Sequence, residues 1–206
     1  MQALFGSRTA PPGGGGGPPD EAEAAEVARA LADPRAFAPL YLRYLDPIHR
    51  YCYRRLGSRE AAEDATSLVF ERALKALPGF RGGSFRAWLF AIAHNAITDS
   101  YRSVRAPEPL AAADEVADPA PRPEDLALLA DERRLLLAAL PMLSADQRRV
   151  VELRLGGLPA TEVAAILGRT PEAVRSLQLR AVRRLRAILA IPTTTTTTAT
   201  REVRDA

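Results

Sequence analysis

The sequence predicts an all-α protein: two small helical domains joined by a flexible linker, the C-terminal one containing a helix-turn-helix. Three observations predict it. Apolar residues recur at three- and four-residue steps through most of the chain between residues 21 and 190, the spacing of helices with one buried face. No segment alternates apolar and polar residues in the way that marks a half-buried strand. Leu158 to Ile188 carries two helical patterns separated by Gly168, Thr170 and Pro171. Glycine tolerates the left-handed conformation that ends a helix, and a Thr N-cap followed by Pro restarts one. Two helices around so tight a break have the form of a helix-turn-helix.

In chain order, residues 1–20 hold TAPPGGGGGPP and form a flexible leader that cannot bury enough surface to order itself. Residues 21–105 form the first domain. Glu21 to Ala32 is an alanine-rich helix ended by Asp33-Pro34. Arg35 to Leu56 repeats Phe37, Leu40, Tyr41, Tyr44, Ile48, Tyr51 and Cys52, and Pro47 is expected to kink or split it. Ser58 caps a helix from Arg59 to Leu77, stopped by Pro78-Gly79. After the loop Phe80, Arg81, Gly82, Gly83, Ser84 caps a helix from Phe85 to about Arg105. Its inner face carries Trp88, Leu89, Ile92, Ala96 and Ile97; its outer face carries Arg86, Asn95, Asp99, Arg102 and Arg105.

Residues 106–123, with five prolines and several acids, read as an acidic, Pro-rich extended linker. The second domain, 124–190, has a helix from Glu124 to Leu140 and a capping box, Ser144 to Gln147, that opens the next. Gly156-Gly157 ends that helix ahead of the helix-turn-helix. Residues 191–206 include six consecutive threonines and form a disordered tail.

Charge divides the chain in the same places. From Ala36 to Arg105 eleven Arg and Lys face six acids, a balance of +5. From Ala106 to Arg134 eight acids face three Arg, a balance of −5, and from Ser144 to Ala190 nine Arg face four acids, again +5. Two basic blocks joined by an acidic connector suit two modules that meet a polyanion. Cys52 is the only cysteine, and His49 and His94 are the only histidines, so neither an internal disulfide nor a zinc-ligand set is expected. No apolar run approaches the ~18 residues of a membrane span and no targeting segment leads the chain; a cytoplasmic protein without membrane insertion is expected. Glu63, Asp64 and Glu71 come without a metal-ligand cluster, phosphate loop or nucleophile–base arrangement. They read as a solvated helix face, and no catalytic residue, metal or cofactor is expected.

The last helix carries the clearest chemistry. Val174, Leu177, Ala181, Leu185 and Ile188 share one face. Glu172, Ser176, Leu179 and Arg183 lie opposite, flanked by Arg175 and Arg180. Guanidiniums on an exposed helix face suit phosphate contacts and bidentate contacts to guanine. The Phe80–Arg105 stretch combines Arg, Asn and aromatic residues beside a glycine loop, a composition suited to single-stranded nucleic acid. A stand-alone helix-turn-helix regulator that binds an operator without polymerase accounts for the C-terminal half but gives Phe80 to Arg105 no task.

The block AEDATSLVFERALKALPGFRGGSFRAWLFAIAHNAITD resembles the promoter-melting domain, region 2, of bacterial RNA polymerase sigma factors. The block LPMLSADQRRVVELRLGGLPATEVAAILGRTPEAVRSLQLRAVRRLRAIL resembles their C-terminal DNA-binding domain, region 4. Their order, without a middle domain, is similar to the extracytoplasmic-function (ECF) group. The resemblance implies a sigma factor that binds core RNA polymerase, at the β′ clamp helices and β flap, and directs transcription initiation at promoter DNA. An anti-sigma factor is a further candidate partner. Asp64, Ser67, Leu68, Phe70, Glu71 and Leu74 would face polymerase. Phe80, Arg81, Gly82, Gly83, Ser84, Phe85, Arg86 and Asn95 would meet the melted minus-ten strand, with Phe85 and the loop capturing a flipped base. Thr170, Glu172, Ala173, Arg175, Ser176, Leu179, Arg180 and Arg183 would read the minus-thirty-five duplex. The chain departs from the family's usual residues at three sites: Ser67-Leu68 replace Gln-Glu, Pro159 replaces a Ser cap, and Leu177-Gln178 replace Arg-Leu.

Overall fold

A computed structural model describes residues 21–103 and 134–189 of the chain, and every regular element among them is helical. The order is α1 (Glu21–Ala32), a 3-10 turn (Pro34–Phe37), α2 (Ala38–Leu56), α3 (Arg59–Ala76), a 3-10 turn (Leu77–Gly79) and α4 (Phe85–Ser103). Helical residues 134–139, here α5, run into a 3-10 turn at Leu140–Met142. Then come α6 (Ala145–Leu155), α7 (Ala160–Leu167) and α8 (Pro171–Leu189). The leader, the acidic linker, the threonine tail and the start of the helix expected from Glu124 lie outside the described residues.

Local chemistry sets most boundaries. Asp33 accepts a hydrogen bond from the Arg35 N–H at 2.9 Å and caps the first 3-10 turn. Gly57 ends α2 at φ 73°, its N–H donating to the Tyr53 carbonyl at 2.8 Å. Ser58 caps α3 through the Ala61 N–H, and Ser84 caps α4 through the Ala87 N–H at 3.1 Å. Ser144 and Gln147 form both halves of a capping box. Pro159 begins α7 without a side-chain cap, as its missing hydroxyl requires. Pro47 lies inside α2 and does not end it. A proline in a helix interior costs ~3 kcal/mol, and burial of Tyr44, Ile48 and Tyr51 on the same helix offsets that cost.

The first module is built around rings. Phe85 is 1% exposed. Its ring centroid lies 5.2 Å from that of Trp88, 5.7 Å from those of Phe80 and Tyr44, and 6.4 Å from that of Phe37. Edge-to-face contacts with Phe80 and Phe37 and tilted contacts with Trp88 and Tyr44 add to the burial of the rings. Cys52 is fully buried on α2, and burial pushes its thiol up to about 11.

The two modules are packed together. One continuous core runs from α1–α4 into Val150 and Leu153 of α6, Leu158, Val163 and Ala164 around α7, and Val174 of α8. A smaller cluster of Ala139, Leu140, Leu143, Val151, Ala181 and Leu185 holds α6 to α8. At the junction the Glu152 carboxylate is fully buried. Arg55 of α2 reaches it at 3.1 Å and Arg148 of its own helix at 2.6 Å. Arg148 also donates to the Arg54 carbonyl across the junction. Nearby, the Tyr51 hydroxyl lies 3.2 Å from His94 Nδ1; a neutral imidazole accepts that hydrogen bond. Burial, with Arg55 and Arg149 close by, lowers the His94 pKa from 6.5 to about 4.

Two outcomes follow from this packing. Truncating Phe85 to Ala is expected to cost ~3–5 kcal/mol, read as a lower midpoint in a circular-dichroism melt. Between pH 6.5 and 4 the unfolded chain protonates His94 while the folded chain keeps it neutral. His94 therefore supports the fold above that window and ceases to do so as pH falls through it. Urea titrations at pH 7.5 and 5 are expected to show the wild type losing about 2 kcal/mol more than His94→Gln; equal losses would refute the assignment.

Candidate nucleic-acid interface

α8 supplies the first surface. Gly168 ends α7 in the left-handed conformation, φ 62°, with its N–H on the Ala164 carbonyl. Two residues later the Thr170 hydroxyl accepts the Ala173 N–H at 3.2 Å, and Pro171 opens α8. Val174, Ala181 and Leu185 turn inward, with Leu177 and Ile188 half-buried beside them. That leaves Thr170, Glu172, Arg175, Ser176, Leu179, Arg180 and Arg183 exposed, with Ala173 half-buried at their edge. Arg184 and Arg186 extend the basic face. Arg175 pairs with Glu172 at 3.1 Å, and Glu172 is held below the usual carboxylate range by hydrogen bonds, first to its own backbone N–H and then to Arg175. Exposed pairs three residues apart are weak, so phosphate can replace Glu172 at Arg175 with little loss. Arg169 ties the turn to α6 through Asp146 at 2.6 Å.

The loop before α4 and the outer side of α4 make the second surface. Gly82 and Gly83 both hold φ 88°, a region closed to other L-residues without strain. Arg81, Gly82 and Gly83 are exposed, as is Asn95 one face along α4. Arg81 donates to the Pro78 carbonyl at 2.9 Å. Phe80 and Phe85 are 8% and 1% exposed, so in this arrangement their rings present no face to a base. Ser84 is half-buried. Arg86 lies 6.0 Å over the Tyr44 ring, and its guanidinium abuts Gly157 of the other module.

Of the residues on α3, Asp64, Ser67, Glu71 and Leu74 are exposed and Leu68 is half-buried against the core. Glu71 pairs with Lys75, which lowers its carboxyl pKa. Phe70 points inward at 4% exposure, packed edge-on to Phe37 and Tyr41. An outer contact surface on this helix therefore consists of Asp64, Ser67, Glu71 and Leu74, with Phe70 holding the helix in place from below.

Sequence reasoning placed no functional weight on Phe90, Glu152, Gly156 or Glu162. All four lie where the modules meet: Phe90 and Glu152 are fully buried and Glu162 is 3% exposed. The signal for Phe90 was the unbroken run Ala87 to Ala93. A helix apolar on more than one side needs covering on more than one side. No helix among the described residues is long and apolar enough to cross a membrane.

Comparison with known proteins follows the same division. The Sigma-70 region 2 family matches residues 40–106, and the Sigma-70 region 4 family matches residues 133–185. The chain is 38% identical over 172 residues to the ECF RNA polymerase sigma factor BldN of Streptomyces coelicolor, an alignment covering 81% of this chain and 65% of that protein. It is 35% identical over 172 residues to the ECF sigma factor SigD of Mycobacterium tuberculosis, covering 79% of this chain and 81% of that one. Its fold is similar to that of CnrH solved with the cytosolic domain of CnrY, with a TM-score of 0.62 and 27% identity over 82% of this chain and 97% of that one. It also resembles in fold the sigma factor RpoE of Bartonella quintana, solved with the anti-sigma factor NepR, at a TM-score of 0.61 and 24% identity over 76% of this chain and 98% of that one. With both regions matched in order, and 35% identity across 81% of a full ECF protein, the chain belongs to the ECF group of RNA polymerase sigma factors.

Proposed function

We propose that this protein binds core RNA polymerase and directs it to promoters, α8 reading the minus-thirty-five duplex and the first module opening the minus-ten element. One observation carries the reading. A helix recapped by Thr170 after a left-handed glycine buries its apolar stripe and leaves Arg175, Arg180 and Arg183 exposed, in a chain that also has a region 2 module. A stand-alone regulator would have no use for that module. Arg81, Gly82, Gly83, Ser84, Arg86 and Asn95 meet the separated strand. Capture of a flipped base by Phe85 would require the ring to leave its present contacts, so we assign Phe85 chiefly the support of the loop. Asp64, Ser67, Glu71 and Leu74 face the β′ clamp helices, and the second module meets the β flap. The acidic segment 106–123 tethers the two domains. The protein acts in the cytoplasm by binding and not by catalysis, and, since CnrH was solved with the cytosolic domain of CnrY, an anti-sigma factor is a fitting further partner.

In vitro transcription with core polymerase, followed by sequencing of start sites, tests the whole reading; promoter duplex binding of equal strength with and without polymerase would overturn it. Arg183→Ala in the full chain is expected to weaken holoenzyme binding to every promoter alike if it meets phosphate, lowering the slope of log K against log salt by about 1. Arg175→Ala is expected to relax sequence preference as well, if it meets a base. Leu74, 41% exposed, offers a test of the polymerase face. Leu74→Asp is expected to weaken polymerase binding about tenfold or more while the melting temperature stays near wild type; unchanged binding would remove α3 from the interface.

A further inference from the structure

One side chain of α8 has no task in holding the fold together. Leu179 is 52% exposed. Its position in the helix sets it about 160° around the axis from Ala181, so it points away from the core that Val174, Ala181 and Leu185 enter. A single exposed leucine carries no meaning by itself. The surroundings of this one do. Arg175 lies one turn before it and Arg183 one turn after, and Ser176 and Arg180 are exposed beside it; residues four apart are neighbours on a helix surface. Among the described residues Leu179 is the only large apolar side chain exposed on that face. Arg175 reaches back to Glu172 at 3.1 Å, away from the leucine, and leaves it uncovered.

We propose that Leu179 is a specificity-determining residue that reads the C5 methyl group of one thymine in the minus-thirty-five duplex. This rests on the sigma-factor reading above and narrows it. In the major groove each base pair shows hydrogen-bonding atoms, and thymine adds a methyl, the one alkyl group on that surface. A leucine side chain neither donates nor accepts a hydrogen bond, so the methyl is the feature of the groove that it can tell apart. The flanking arginines grip charge and base edges with their guanidiniums, while their alkyl stems wall the methyl contact off from water. Arg175, Arg180 and Arg183 thus hold the helix on the duplex, and Leu179 selects a thymine at one position. Four residues of helix rise about 6 Å, and bases along a strand are about 3.4 Å apart. The selected thymine therefore lies about two base-pair steps from the group that Arg175 meets.

The test removes the methyl alone. Promoters taken from the start sites that the wild-type holoenzyme selects are synthesised with each thymine of the minus-thirty-five element, on either strand, replaced singly by deoxyuridine. That base keeps every hydrogen-bonding atom of thymine and lacks only the C5 methyl. Full-length wild type, Leu179→Ala and Leu179→Met are each assembled with core polymerase, and binding to every duplex is measured at one salt concentration, since phosphate contacts make affinity salt-dependent. One thymine is expected at which the wild type loses about fourfold in affinity, the effect of one buried methyl. Leu179→Ala is expected to bind the thymine and deoxyuridine duplexes equally, with a melting temperature near wild type, and Leu179→Met, which keeps an apolar tip, to retain the preference. Three results overturn the proposal: no deoxyuridine substitution weakens the wild type, the same substitution weakens Leu179→Ala as much, or Leu179→Ala loses affinity for core polymerase while its response to the methyl is intact. The first can be scored on the wild type alone. A holoenzyme that favours no promoter duplex over unrelated DNA would sink the sigma-factor reading, and the methyl contact with it; selective binding without a methyl response sinks only the contact.

Discussion

Glu152 decides how the halves of this molecule stand to each other. Its carboxylate is wholly out of water and touches a guanidinium from each side. An ion stripped of solvent costs several kcal/mol unless its partners are close and well oriented. Arg148 alone, four residues earlier on the same helix, leaves one oxygen to be satisfied, and Arg55 of α2 supplies the second contact. The charge can stay buried only while α6 lies against α2. The apolar contacts around it, Phe90 against the Gly156 turn and Val150 and Leu153 against the first module's core, give area without fixing register. The ion pair gives register.

That arrangement separates what could be read in the sequence from what could not. Helix ends were legible because each is written in two or three adjacent residues: Asp33-Pro34, Gly57-Ser58, the Ser144 to Gln147 box, and Gly168 through Pro171. The face of α8 was legible because a regular helix fixes which residues share a side. Pro47 does not split α2, since the local penalty is visible in sequence while the burial that offsets it comes from other helices. Glu152 and Glu162 sit in helices whose neighbours offer no cue that they are buried. Their partners are 97 and 78 positions away, at Arg55 and Ser84. Gly156-Gly157 was read only as a helix end, although it also admits the Phe90 ring and the Arg86 guanidinium. Contacts between elements far apart in sequence leave no periodic trace.

The ring cluster shows a related division of labour. Phe80, Phe85 and Trp88 fall within eight residues of the glycine loop, so composition alone suits a nucleic-acid role, although helical spacing already turned Trp88 inward. In three dimensions they surround one another and lie buried on either side of the glycine loop in sequence. The exposed groups are Arg81 and the two glycines. Aromatic density beside a loop is thus compatible with two physical roles, and exposure distinguishes them.

Cys52 has a consequence for how signals reach the protein. It is fully buried on α2, and that burial pushes its pKa up to about 11. At neutral pH almost none of it is thiolate, the form that peroxide and disulfide reagents attack. The chain has no second cysteine to resolve a sulfenic acid. The folded protein is therefore chemically silent towards thiol oxidants, and an oxidative stimulus would have to be sensed by another molecule and relayed through binding.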